Sequence, residues 1–199
     1  MSSSVLYAVA DSVATITFNR PQVMNALDAE TIIAFRAACE RVELDEAARV
    51  VVLRGAGPAF LAGGDVATFK DNLADFSHKV IGLAGEMHSG VLALRRAPKP
   101  VIASVHGAVA GAGMSIMMAC DLVIAAEDTQ FNMAYSRIGT SPDGGASCFC
   151  RAWWDIKKRW NCCCWPSPLM LLRCRAWVLS IAWWRRLRLK VPRKSSRSG

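Results

Sequence analysis

An α/β layered fold follows from the order of hydrophobic patterns along the 199 residues. Short alternating or continuous apolar runs, typical of strands, take turns with longer segments of helical period. Gly, Pro and Asn breakers separate them. Strand then helix, repeated, sets a sheet in one layer and helices against it. The composition, 53% hydrophobic and 20% charged with 14 Gly and 8 Pro, suits one domain with a sizeable core. It excludes a disulfide mini-protein, a collagen-like repeat and a wholly disordered chain.

The elements run as follows. Val13-Ala14-Thr15-Ile16-Thr17-Phe18 alternates and reads as a strand, which Asn19-Arg20-Pro21 breaks. Asp28 is an N-cap for a helix through about Val42, with Ile32, Phe35, Ala38 and Cys39 on one face. Residues 49–54 form a second strand, whose continuous apolar run predicts burial on both faces. Gly55-Ala56-Gly57-Pro58 ends it. Lys79 to Arg96 is helical, with Leu83, Met87, Val91 and Leu94 as its apolar stripe. Residues 100–105 are a third strand, Gly113 to Cys120 a helix, and residues 122–125 a fourth strand. No run reaches the ~18 consecutive apolar residues of a membrane span. The opening MSSSVLYAVADSVATITF lacks the layout of a secretory signal, so a cytoplasmic protein is expected.

The net charge of +8 is unevenly placed. Residues 1–147 carry 11 Lys+Arg against 15 Asp+Glu, a net of −4. Residues 148–199 carry 13 Lys+Arg and only Asp155, a net of +12. All seven Trp and six of the eight Cys also lie in that tail, which shows no helical period, caps or alternation. Cys162-Cys163-Cys164 is not a zinc-ligand spacing.

The genetic code offers a test. Asn161-Cys162-Cys163-Cys164-Trp165 must be encoded AAY TGY TGY TGY TGG, with Y a pyrimidine. Regrouped by one base this reads YTG four times, which is Leu-Leu-Leu-Leu. Trp153-Trp154-Asp155 regroups to Val-Gly, and Trp183-Trp184 to Val. Structured patterns return as the frame moves, so one base is expected to be missing near codon 148. Residues 1–147 are then the folded core, and 148–199 an out-of-frame, poorly ordered tail. The alternative is a genuine basic, Trp-rich tail that binds nucleic acid by stacking and charge. With the tail out of frame, no nucleic-acid partner is expected.

Two glycine turns follow strands: Ala62-Gly63-Gly64-Asp65 and Gly111-Ala112-Gly113. Each presents bare backbone N–H groups to an approaching oxygen, and the second opens a helix whose dipole favours negative charge. Tight turns that need small residues explain the same glycines. His78, His88 and His106 share no metal-ligand spacing, and no metal site is expected.

The strings NRPQVMNALD, AFLAGGDV, PKPVIASVHGAVAGAGMSIMMACDLVIAAEDTQF and GTSPDGGAS, in this order and spacing, resemble the crotonase superfamily, also called the enoyl-CoA hydratase/isomerase family. The likeness runs from about residue 5 to Ser147. It implies the crotonase-like (ClpP/crotonase) spiral of repeated ββα units, here truncated and followed by an aberrant C-terminal tail. It implies an enzyme with an acyl-CoA thioester as substrate and no separate cofactor, since coenzyme A is part of the substrate. A homotrimer or hexamer is typical of such proteins, and the altered C-terminus is expected to disturb that assembly here.

For chemistry, the resemblance implies that the backbone N–H groups of Gly64 and Ala112 hold the thioester oxygen as an enolate forms. Ala62, Gly63, Asp65, Val66 and Gly111 then shape the wall near coenzyme A, and Asn25 and Ala26 lie near its nucleotide part. Hydratases of the family use two glutamates, at the positions held here by Ser115 and Tyr135. A hydroxyl and a phenol are poor bases at neutral pH. Asp143, in Ser141-Pro142-Asp143-Gly144-Gly145, is the candidate base of an isomerase that moves a 3-enoyl double bond to the 2-position. A turn-forming role explains Asp143 as well. The alternatives are an enoyl-CoA hydratase with an unusual water site, a weaker dehalogenase-like use of Asp143, and an inactive product with a basic tail.

Overall fold

The computed structural model describes residues 3–65 and 76–153. Val66 and the tail beyond Trp153 lie outside the described residues. The chain begins with β1 (Val5–Ala10) and β2 (Val13–Phe18), an antiparallel hairpin with Val5 opposite Phe18. Its turn is Asp11-Ser12, and both residues have positive φ, 50° and 61°. That geometry matches the right-handed twist of the flanking strands. The sequence reading missed β1 because neither turn residue is the glycine that marks such hairpins.

β2 then pairs in parallel with β3 (Val50–Gly55), β3 with β4 (Val101–Val105), and β4 with β6 (Leu122–Ala125). A second small sheet joins β5 (Ala108–Ala110) in parallel to β7 (Gln130–Asn132). Isolated bridges Leu61↔Val109 and Leu27↔Gly64 extend this second layer. Helices α1 (Ala29–Leu44), α2 (Phe76–Arg96), α3 (Ala112–Ala119) and α4 (Ala146–Trp153) close successive units. The order β1-β2-α1, β4-β5-α3 and β6-β7-α4 is the expected repeat of ββα units.

The helix predictions hold for physical reasons visible in the packing. Asp28 caps α1, its carboxylate accepting from the Thr31 N–H at 2.8 Å. Lys99 closes the other end by donating to the carbonyls of Val42 and Asp45. Phe18 anchors the core between Phe35, 5.4 Å away, and the edge of Phe60 at 5.8 Å. α1 and α2 pack closely at Gly90, where an added Cβ would stand 3.1 Å from the Arg36 Cα and 3.2 Å from the Phe35 ring. α3 is buried all round, as an apolar helix without a polar face must be.

One expectation is corrected. β3 is not buried on both faces: Val51, Leu53 and Gly55 face the core, while Val50 and Val52 are half-buried and Arg54 is exposed. A continuous apolar run cannot by itself say whether a sheet's second face is covered.

Candidate functional site

The two glycine turns come together. Leu61 N–H donates to Ala108 O at 3.2 Å and Ala110 N–H returns to Leu61 O at 2.9 Å, so the chain entering the first turn runs beside the chain entering the second. Gly63 has φ +104° and lies so close to the second turn that a Cβ there would be 3.2 Å from Ala110 O. Gly111, at φ +49°, has its added Cβ 3.6 Å from the Gly63 Cα. A Cβ on Gly113 would meet Leu61 O at 2.3 Å. Glycine is therefore required by close approach at Gly113, by backbone angle at Gly111, and at Gly63 by its backbone angle together with a tight contact.

This contact leaves particular donors available. Leu27 N–H donates to Gly63 O at 2.8 Å and Asp65 N–H to Leu27 O at 2.9 Å, which straps both neighbours of Gly64. Among the described residues, the N–H groups of Gly64 and of Ala112, first residue of α3, make no hydrogen bond. Gly64 is exposed, Ala62 half-buried and Ala112 buried.

Ser115, Tyr135 and Asp143 form a chain of hydrogen bonds. Tyr135 Oη donates to Asp143 Oδ1 at 2.5 Å and stands 2.9 Å from Ser115 Oγ. With the phenol hydrogen directed at the carboxylate, the Ser115 hydroxyl donates to Tyr135 Oη. Ser115 is fully buried on α3, and Tyr135 is buried in a 3-10 turn, Tyr135–Ile138. Burial first, and then the Asp143 carboxylate beside it, push the Tyr135 phenol well above its ordinary range. Tyr135 is thus a donor and no base. The turn after Asp143 is seated against α3, since a Cβ on Gly144 would lie 2.8 Å from the Ser115 Cβ.

His88 was not singled out by sequence. Its Nε2 accepts the Gly144 N–H at 2.7 Å, joining α2 to the turn that carries Asp143. No signal in the sequence links residues 56 positions apart. His106, by contrast, is packed beside its glycine turn, with Nε2 donating to Gly57 O at 2.8 Å.

Asn25 and Asp65 are both held by hydrogen bonds and ion pairs around the first glycine turn. Asn25 is completely buried; its Nδ2 donates to the carbonyls of Ala56, Ala59 and Phe60, and its Oδ1 accepts from the Arg20 N–H. Asp65 is paired with Arg20 at 3.2 Å, and the Ala26 carbonyl accepts from the same guanidinium. Among the described residues there is no group of three or more His, Cys, Asp or Glu that could hold a metal, and no helix long and apolar enough to cross a membrane.

Residues 8–152 match the family model described as enoyl-CoA hydratase/isomerase. A probable enoyl-CoA hydratase of Rhodobacter capsulatus is 38% identical over 151 residues, covering 76% of this chain and 55% of that protein. The 1,2-epoxyphenylacetyl-CoA isomerase of Escherichia coli K12 is 36% identical over 151 residues, covering 74% of this chain and 56% of that protein. The crystal structure of an enoyl-CoA hydratase from Polaromonas sp. JS666 superposes with a TM-score of 0.77 at 32% identity, over 82% of this chain and 63% of that one. The chain spans about half the length of the curated relatives it matches.

Proposed function

The chain belongs to the enoyl-CoA hydratase/isomerase family, and on that premise we propose that it binds an acyl-CoA thioester and moves a 3-enoyl double bond to the 2-position. The observation that carries this reading is the chain Ser115–Tyr135–Asp143, in which Asp143 is the one carboxylate. Its Oδ1 is held by the Tyr135 phenol, and its other oxygen is the base. The carboxylate takes a proton from C2 of the 3-enoyl thioester. The C–H electron pair becomes the C1–C2 double bond of a dienolate as the carbonyl π pair moves onto the thioester oxygen, and the C3–C4 double bond stays conjugated with it until C4 is protonated. The N–H groups of Gly64 and Ala112 receive the negative charge on that oxygen. Asp143 returns the proton at C4, leaving the 2-enoyl thioester. Fixed donors strengthen as the charge grows, and losing one such donor costs about 2.7–4 kcal/mol of barrier.

The test is spectrophotometric, with 3-enoyl-CoA and 2-enoyl-CoA offered separately to wild type and Asp143→Asn. The expected result is conversion of the 3-enoyl substrate, slowed at least ~100-fold by the substitution. Formation of 3-hydroxyacyl-CoA from the 2-enoyl substrate, with no turnover of the 3-enoyl one, would replace the isomerase by a hydratase.

We also propose that the reading frame changes near Cys148, leaving residues 1–147 as the native core. The separation of charge, Trp and Cys between the two parts supports this. So does the end of the family match at residue 152. The helix α4 crosses Cys148 without interruption.

A further inference from the structure

Arg20 has no part in the chemistry above, yet its guanidinium is the hub of the first glycine turn. Nη1 donates to the Ala26 carbonyl at 2.5 Å and to Asp65 Oδ2 at 3.2 Å, and Nη2 pairs with Asp28 Oδ2 at 3.0 Å. Its backbone N–H is held by Asn25 Oδ1 at 2.8 Å. The Arg20 side chain is 18% exposed and that of Asp65 13%, so the pair is screened less than a surface pair.

Asp65 directly follows Gly64. A carboxylate beside a donor opposes that donor's task, because the oxygen it receives becomes anionic. The backbone straps from Leu27 fix the residues on both sides of Gly64, and the Arg20 guanidinium ties them further, through the Ala26 carbonyl and the Asp65 carboxylate. We propose that Arg20 is a positioning residue for the Gly64 amide: it fixes the turn and cancels the Asp65 charge, so that this N–H can receive an anionic oxygen. The inference rests on the reading of Gly64 and Ala112 as paired donors. Lysine, with one nitrogen in place of a planar fork, cannot hold Ala26, Asp65 and Asp28 together.

The probe is 4-(dimethylamino)cinnamoyl-CoA, whose absorption moves to longer wavelength when its carbonyl is polarised. It needs no turnover. Wild type is expected to bind it with a red shift. Arg20→Met is expected to bind within about threefold of wild type but lose most of the shift, and to isomerise 3-enoyl-CoA on the order of tenfold more slowly, less than the ~10²–10³-fold loss of a whole donor. Arg20→Met with Asp65→Asn should recover part of the shift, because the Asp65 charge is gone. Arg20→Lys, expected between wild type and Arg20→Met, serves if Arg20→Met fails to fold by its melting curve. A full red shift in the folded Arg20 variant overturns the inference and leaves the paired donors standing. No recovery in the double variant overturns the charge argument. Probe bound to wild type with no shift overturns the paired-donor reading, and the inference with it.

Discussion

Tyr7 and Tyr135, the two tyrosines of the chain, report on two separate regions. Tyr7 donates to Asp45 Oδ2 at 2.7 Å with the Arg41 guanidinium 4.2 Å over its ring. Burial, then the hydrogen bond and charge of Asp45, push its phenol up to about 12. The Tyr135 phenol is pushed higher still, by burial and Asp143. Both native values exceed the unfolded value near ~10, so the stability each phenol contributes is whole below that pH and is lost as pH rises through its native value, about 12 for Tyr7. An alkaline titration followed by the phenolate absorbance is expected to show no ionisation near ~10 while the protein is folded. A phenol ionising there in the native state would remove this account. Tyr135→Phe is a sharper probe, because it leaves the fully buried Ser115 Oγ without its partner. The expected loss is about 1–3 kcal/mol in urea denaturation. The sequence pointed to Ser115, Tyr135 and Asp143 one by one, from their motifs. It could not join them, because a bond across 20 residues depends on how the 3-10 turn folds back over α3. For the same reason the motif around Asn25 was visible in the sequence, while its burial was not.

At the scale of elements, α1 can be tested at its cap and at its crossing. The Asp28 carboxyl is held below its usual range: burial works against this, but the two Thr31 hydrogen bonds and the Arg20 guanidinium outweigh it. A lowered native value means that this stability is present above the unfolded carboxylate value and is lost as pH falls through the native one. Asp28→Ala is expected to cost about 1 kcal/mol through the lost cap, and the difference from wild type should shrink in acid. An equal difference at every pH would show that the carboxylate's charge plays no part. At the crossing, Gly90→Leu drives a side chain into the Arg36 backbone and the Phe35 ring, where one Cβ already stands at 3.1 and 3.2 Å. Overpacking of this kind costs about 1–3 kcal/mol, read as a lower melting temperature. Elements with long periodic patterns, α1 and α2, were legible in the sequence, as were the apolar strands β2, β3, β4 and β6. β5 and β7 were not, since three residues each are too short for any period to register.

Across the whole molecule, the −4 core and the +12 tail pose a question that one experiment decides. A folded domain distributes aromatic and charged residues according to burial, and burial does not change abruptly at one position in a chain. Here all seven Trp fall after residue 152, where the family match stops. A shift of one base accounts for this without any selection on the protein, because G-rich leucine, glutamate and glycine codons regroup into Trp, Cys and Arg. The expected result of sequencing the coding DNA is a missing base near codon 148. Restoring it should replace Asn161-Cys162-Cys163-Cys164-Trp165 by a run containing Leu-Leu-Leu-Leu, visible as a changed tryptic peptide mass. The restored protein should stay soluble where the present tail, rich in Trp and Leu, favours aggregation. If the frame proves intact, the basic tail is native. Retention on DNA that falls steeply with salt, and vanishes on deletion of residues 148–199, is then the expected behaviour.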